Sequence, residues 1–155
     1  MKKYFNIIIL FFSLTTMTLV SCDDDDSDTE KPVISLIEPC DGDRVQIGNP
    51  HGMHIEMDLT DNEALGSYKI DIHSAAGHTH NKAAESHTIE RVFDDIAGKK
   101  NAHVHQHDIV IPEDFPEGEY HFMVYCVDAA GNESYVVRTI ELTLDEVEDE
   151  DEDED

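Results

Sequence analysis

From residue 32 to residue 144 the chain repeats short runs in which apolar and polar residues alternate, separated by Gly, Pro, Asn and Asp. An alternation with a period of two puts one side of each run into a core and the other into solvent, which is typical of half-buried β-strands. Clear runs cover residues 32–37, 54–59, 68–73, 105–111, 119–128 and 135–144. Short strands with turn residues between them predict an all-β fold, an antiparallel β-sandwich.

Residues 88–96 fit two patterns. Ile89, Val92, Phe93 and Ile96 would share one face of a helix, whereas residues 88–92 also alternate as an edge strand would. We favour the strand, which gives a sandwich of about seven strands.

The charge is concentrated outside the alternating region. The chain has 36 acidic and 10 basic residues and a formal net charge of −26, with dense acidic runs at residues 23–30 and 145–155. Such runs are too charged and too poor in apolar residues to fold, so we expect acidic, disordered tails around one domain at residues 32–144. A polyanionic protein repels nucleic acid and favours cationic partners, including metal ions.

The N-terminus has the features of a secretory signal. Lys2 and Lys3 precede the apolar residues 5–20, which predicts a signal peptide at residues 1–21. The sequence Leu19-Val20-Ser21-Cys22 resembles the lipobox of bacterial lipoproteins. That resemblance implies a lipidated Cys22, an anchor in the outer membrane and an acidic tether at residues 22–31.

The acids after Cys22 resemble the signal that sends Bacteroidetes lipoproteins to the cell surface, and the alternative is a simple spacer. The cell surface is therefore the favoured address, with the periplasmic face as the alternative.

A second resemblance covers the end of the alternating region. Gly118-Glu119-Tyr120, followed by residues 128–134 with the sequence Asp-Ala-Ala-Gly-Asn-Glu-Ser, resembles the ending of bacterial immunoglobulin-like domains. Tyr120 would then hold the tyrosine-corner position. Together with Ile72-His73, His78-Thr79-His80 and residues 103–112, this ending is similar to an uncharacterised, histidine-bearing family of immunoglobulin-like Bacteroidetes lipoproteins (domain of unknown function 4625). The resemblance implies a fold and an address but no activity.

The ten histidines carry the strongest chemical signal. In a strand, residues two apart point to the same face, so His103, His105 and His107 would present their rings in one row. In an immunoglobulin-like sandwich the strand with His73 lies beside the strand with His121, and the following loop would return His78 and His80 to the same patch. Clustered imidazoles are ligands for zinc or copper. The candidate metal ligands are His73, His78, His80, His121, His103, His105 and His107.

We rank the row at residues 103–107 below the other four histidines. The row has the same parity as Ile109 and Ile111, which should face the core. Either a β-bulge intervenes or the row extends beyond the end of the core. His51, His54 and His87 have no partner by spacing and are interpreted as surface residues.

Other candidate chemistry is weaker. Cys40 lies in a turn and Cys126 points inward, so we expect two unpaired thiols, although an exported protein permits a disulfide. Residues 61–63, Asp128 and Asn132 offer oxygen ligands for calcium, but turn chemistry explains them as well, so calcium is less favoured than zinc or copper.

No catalytic motif is present, and we expect no enzymatic activity. The favoured hypothesis is an envelope lipoprotein that binds zinc or copper for capture or buffering. The alternative is a non-catalytic interaction module, accessory to a transport or adhesion complex of the envelope.

Overall fold

The structure is a computed structural model that describes residues 27–75 and 87–147. The predictions for Cys22, His78, His80, the signal peptide and the end of the acidic tail lie outside these residues. The eight strands are β1 (Val33–Glu38), β2 (Arg44–Gln46), β3 (Met53–Thr60), β4 (Leu65–Ser74), β5 (Thr88–Phe93), β6 (Asn101–Ile109), β7 (Gly118–Asp128) and β8 (Glu133–Thr143).

The strands form two sheets, which confirms the predicted all-β, immunoglobulin-like sandwich. One sheet has the order β1-β3-β6 and the other the order β2-β8-β7-β4-β5. Every pairing is antiparallel except that of β2 with β8. The predicted neighbourhood of the His73 and His121 strands is present, because β4 pairs with β7.

The ambiguous segment is a strand. Residues 88–93 form β5, which pairs with β4 at the edge of the larger sheet. The sequence did not predict β2, because it is only three residues long and forms through its parallel pairing with β8 rather than through a pattern of its own.

The alternating residues build the core between the sheets. Ile55, Met57 and Leu59 of β3 are fully buried, and the larger sheet contributes the inward faces of β4 and β7. Each buried aliphatic side chain of this size contributes about 1.5–3 kcal/mol. The opposite faces of β3, β4, β6 and β7 carry the histidines and acids outward, so the core positions the candidate ligands without containing them.

Tyr120 occupies the predicted corner position. Its ring is buried, and its hydroxyl donates a hydrogen bond of 3.1 Å to the backbone carbonyl of Pro116. The bond fixes the turn between β6 and β7 against the core.

Replacing Tyr120 by phenylalanine should lower the free energy of unfolding by about 1–2 kcal/mol, because the Pro116 carbonyl loses its donor while the ring stays in place. Urea unfolding measures the change, and Tyr135→Phe, at an exposed position of the neighbouring strand β8, is the control. Equal stability of the two variants would contradict a structural role of the corner.

Candidate metal centre

Three imidazoles converge on the outer face of the smaller sheet. His54 of β3 and His105 and His107 of β6 each offer one nitrogen, and these nitrogens all lie within 4.8 Å of one another. The His54 ring lies 4.9 Å from the His105 ring and 5.0 Å from the His107 ring, centroid to centroid, and the second pair is stacked. We call these three residues the histidine triplet.

A β-bulge in β6 places the triplet. Met53 pairs with Ile109 but Ile55 pairs with Gln106, so His54 alone faces the two residues His107 and Asp108. The extra residue changes the parity of the strand. His103, His105 and His107 therefore point outward while Ile109 is buried. Of the two arrangements that the sequence left open for this row, the structure has the bulge.

Gly52 allows the bulge to approach the start of β3. Its φ is +81°, in the left-handed region that favours glycine. A Cβ atom at this position would collide with the backbone carbonyl oxygen of His107 and lie 2.8 Å from the carbonyl carbon. The absence of a side chain at Gly52 is thus part of how His107 is brought beside His54.

Carboxylates accompany the histidines on this face. Glu56 pairs with His105 and Asp58 with His103 across the two strands. The Nδ1 atom of His103 lies 3.0 Å from Oδ1 of Asp58, and its Nε2 atom lies 3.7 Å from Oε1 of Glu56. His103 is thus engaged with acids and stands outside the triplet. Acidic neighbours favour the approach of a cation and can orient imidazoles through hydrogen bonds.

His73 and His121 form a separate pair on the larger sheet. They are direct cross-strand partners, with ring centroids 5.4 Å apart in an edge-to-face arrangement. The Nδ1 atom of His73 lies 2.8 Å from Oδ1 of Asp71, as expected for a carboxylate that orients a histidine. The structure confirms that the two rings meet, whereas His78 and His80 lie outside the described residues.

Residues 20–143 match the family described as a domain of unknown function, DUF4625. The chain belongs to this family. The match confirms the resemblance to this family that the sequence showed, and a search of the curated proteins finds no match. In the part of this DUF4625 chain that the structure describes, no helix has the length and apolar character to span a membrane.

The triplet has the donor set of a transition-metal centre. Three histidines with an open fourth position are a known zinc arrangement, and imidazole also suits copper and nickel. Ligand nitrogens around a tetrahedral zinc ion are about 3.4 Å apart, from bonds of about 2.1 Å. Separations within 4.8 Å therefore need only side-chain rotation to close on an ion, because all three residues lie on paired strands of one sheet.

Sequence reasoning missed His54 in this DUF4625 domain. His54 stands alone by spacing and was interpreted as a surface residue, yet it is half-buried at the centre of the triplet. Its partners follow from the β3–β6 pairing and from the position of the bulge, neither of which can be read from the sequence around His54. His51 is exposed, as predicted, and the His87 ring contacts Phe115 edge to face at 5.2 Å.

The two cysteines in the described part of the chain are unpaired, as expected. Cys40 is exposed and Cys126 is fully buried, and burial raises the pKa of the Cys126 thiol to about 11. Cys40 lies with Glu38 and Asp43 in a small cluster within 4.8 Å. The Glu38 charge, burial and Asp43 raise the pKa of the Cys40 thiol, which disfavours the thiolate that metal binding requires.

Proposed function

We propose that this chain is a cell-envelope lipoprotein that binds one zinc or copper(II) ion through His54, His105 and His107, for capture or buffering of the metal. The observation that carries the proposal is the convergence of three imidazole nitrogens within 4.8 Å on paired strands. The lipoprotein address is supported by the likeness of residues 19–22 to a lipobox.

The arrangement of the triplet supports metal binding over solvated surface histidines. The rings of His54 and His107 are in stacked contact, with planes 8° apart, so their nitrogens are already held close together. Their positions are set by a bulge, a feature that is over-represented next to functional sites, and by a glycine whose positive φ lets the bulge approach β3. Carboxylates on the same face would draw a cation to the rings.

Binding without catalysis fits the surroundings of the triplet. His105 and His107 are exposed on the outer face of a sheet. A metal held there would exchange readily with solvent, which suits capture and release. His73 and His121 supply a second, weaker position, since two imidazoles bind less tightly than three.

An interaction module remains the second candidate function, and one observation favours it. The outer face of the larger sheet exposes apolar side chains, among them Val92 at 69% and Tyr135 at 64% exposure. Such residues are enriched where proteins bind each other. On this interpretation, an envelope complex would contact that face and the histidines would hold no metal.

Metal titration separates the two functions. The full-length chain, purified in mild detergent, is titrated with zinc and with copper(II) against a chromophoric chelator, and the bound metal is counted by elemental analysis after dialysis. The wild type should retain about one equivalent at micromolar metal. The double variant H105A/H107A should lose it, whereas the matched variant H73A/H121A should keep it.

Two results would overturn the assignment. Less than half an equivalent in the wild type would leave the interaction module as the better function. Loss of the metal in H73A/H121A with retention in H105A/H107A would move the centre to the larger sheet. Because both acidic tails are unchanged in every variant, weak binding by the tails cancels from the comparison.

A further inference from the structure

A second group of candidate ligands lies at the opposite end of β3 from the histidine triplet. Asp28, Asp61 and Asp128 come from three separate segments: the chain before β1, the turn after β3 and the end of β7. One carboxylate oxygen from each lies within 4.8 Å of the others. The sequence suggested Asp61 and Asp128 as calcium ligands, and the structure brings them together with Asp28 of the predicted tether.

Two of these carboxylates direct an unsatisfied oxygen into protein. Oδ2 of Asp28 and Oδ2 of Asp61 are both inaccessible to solvent and have no hydrogen-bond partner in the described part of the chain. Their Oδ1 atoms, in contrast, are used: that of Asp61 accepts the Glu63 and Ala64 amides, and that of Asp28 accepts a bond from Asn62. A buried carboxylate oxygen without a donor costs free energy, and a bound ion is a standard explanation for it.

The third carboxylate is deeply buried. Asp128 is 4% exposed and accepts hydrogen bonds from the backbone and side-chain nitrogens of Asn132, at 2.8 and 2.7 Å. These bonds hold the Asp128 carboxylate in its place within the cluster.

In the described part of the protein, no basic side chain forms an ion pair with these carboxylates. Lys100 comes near the turn but donates to the carbonyl of Asn62. A bound cation would ligate the two unpartnered oxygens and offset the repulsion among three closely spaced carboxylates.

We propose that Asp28, Asp61 and Asp128 bind a calcium ion that fastens the segment before β1 to the end of the sandwich. All the donors are oxygens, which suit calcium or magnesium better than the transition metals proposed for the histidine triplet. Calcium accepts irregular sets of carboxylate and carbonyl oxygens and completes its shell with water, whereas magnesium demands near-ideal octahedral geometry. The proposal does not rest on the histidine triplet.

The site would couple the tether to the domain. Apart from calcium, Asp28 is held by Asn62 and by the Asn132 side chain, which donates to its backbone carbonyl at 3.1 Å. These two neutral bonds are weak compared with three carboxylates on one ion. Asp61 follows His54 by seven residues, which in an extended strand corresponds to roughly 23 Å at about 3.3 Å per residue. The aspartate cluster and the histidine triplet therefore do not share ligands.

Calcium titration of three matched variants tests the site. The full-length chain in mild detergent and 150 mM NaCl is titrated with CaCl2 by calorimetry, and its Tm is measured with and without calcium. We expect one site with a Kd below about 1 mM, typical of extracellular calcium modules, and a Tm rise of about 5 °C at ten times Kd. D28N and D61N should raise Kd at least tenfold and abolish the shift. E63Q, which removes an exposed charge from the same turn, should change neither.

The substitutions D28N and D61N are chosen to preserve folding. Asparagine retains the Oδ1 acceptor at each position, and Asp28 lies outside the strands, so D28N should fold as the wild type does. Three results would overturn the proposal: no calcium-dependent shift in the wild type, an equal loss in E63Q, or an equal affinity for magnesium. Loss of zinc binding in the triplet variants would not affect the calcium result, and loss of calcium binding in D28N or D61N would not affect the zinc result.

Discussion

Replacing Gly52 by alanine should reduce the free energy of unfolding by about 3 kcal/mol or more, a large effect for one methyl group. Two costs add. A non-glycine residue at φ +81° costs about 1–2 kcal/mol. The new Cβ would also collide with the His107 carbonyl, a backbone atom that cannot move without displacing the bulge in β6. Chemical denaturation with urea measures the sum.

Gly98 provides the matched control for this experiment. Its φ is +78°, almost the same as that of Gly52, but a Cβ at Gly98 would meet nothing within 4 Å. Gly98→Ala should therefore show only the backbone cost of about 1–2 kcal/mol. If the two variants lose the same stability, the approach of Gly52 to the bulge is not close. If Gly52→Ala is the worse, the excess measures the collision with His107.

The fold was largely predictable from alternation alone. Runs such as residues 54–59 have one strictly apolar side, and in the structure Ile55, Met57 and Leu59 of that run are all fully buried. Burial of one side of a strand determines which side chains point to the core, because a shift of the register by one residue would expose all of its apolar side chains. The same argument places His73 and His121 outward and beside each other once the sandwich topology is known.

The histidine triplet was not predictable in the same way. Alternation in residues 103–111 contradicts itself, since the histidines and Ile109 share parity, and only a bulge resolves the conflict. This contradiction indicated that a bulge was one solution. It did not indicate at which residue the bulge lies or which residue of the neighbouring strand it faces. Its position is set by pairing with β3 and by Gly52, which are tertiary features. His54 belongs to the site because of this pairing, which the sequence did not predict.

The aspartate cluster was not predictable from the sequence for a different reason. Asp61 and Asp128 lie in turns whose residue types are explained by backbone hydrogen bonding, so calcium was the less favoured interpretation of these residues from the sequence. Asp28 belongs to an acidic run in which every residue resembles its neighbours. What singles out Asp28 is its contact with Asn62 and Asn132, residues distant in the chain.

Replacing His54 by alanine should weaken zinc binding at least about 100-fold. Changes to groups that merely orient metal ligands already cost 10–100-fold in affinity, and removal of one of three direct ligands should cost at least as much as the upper end of that range. His54 is the ligand that bridges the triplet, because its ring lies near both other rings, whereas those of His105 and His107 are farther apart, at 5.6 Å. Competition with a chelator of known affinity gives the Kd.

Two further alanine variants make the result specific to position. His51 is exposed three residues before His54, and His103 lies on the same face as the triplet but is bonded to Asp58. His51→Ala and His103→Ala each remove one histidine from the chain, so a general loss of imidazole would affect all three variants alike. We expect the two controls to keep zinc affinity within about tenfold of the wild type, below the cost of a direct ligand. An equally large loss of zinc affinity in His103→Ala would extend the metal centre along β6. An unchanged affinity in His54→Ala would remove β3 from the centre, because metal held without His54 does not depend on the pairing of the histidines of the two strands.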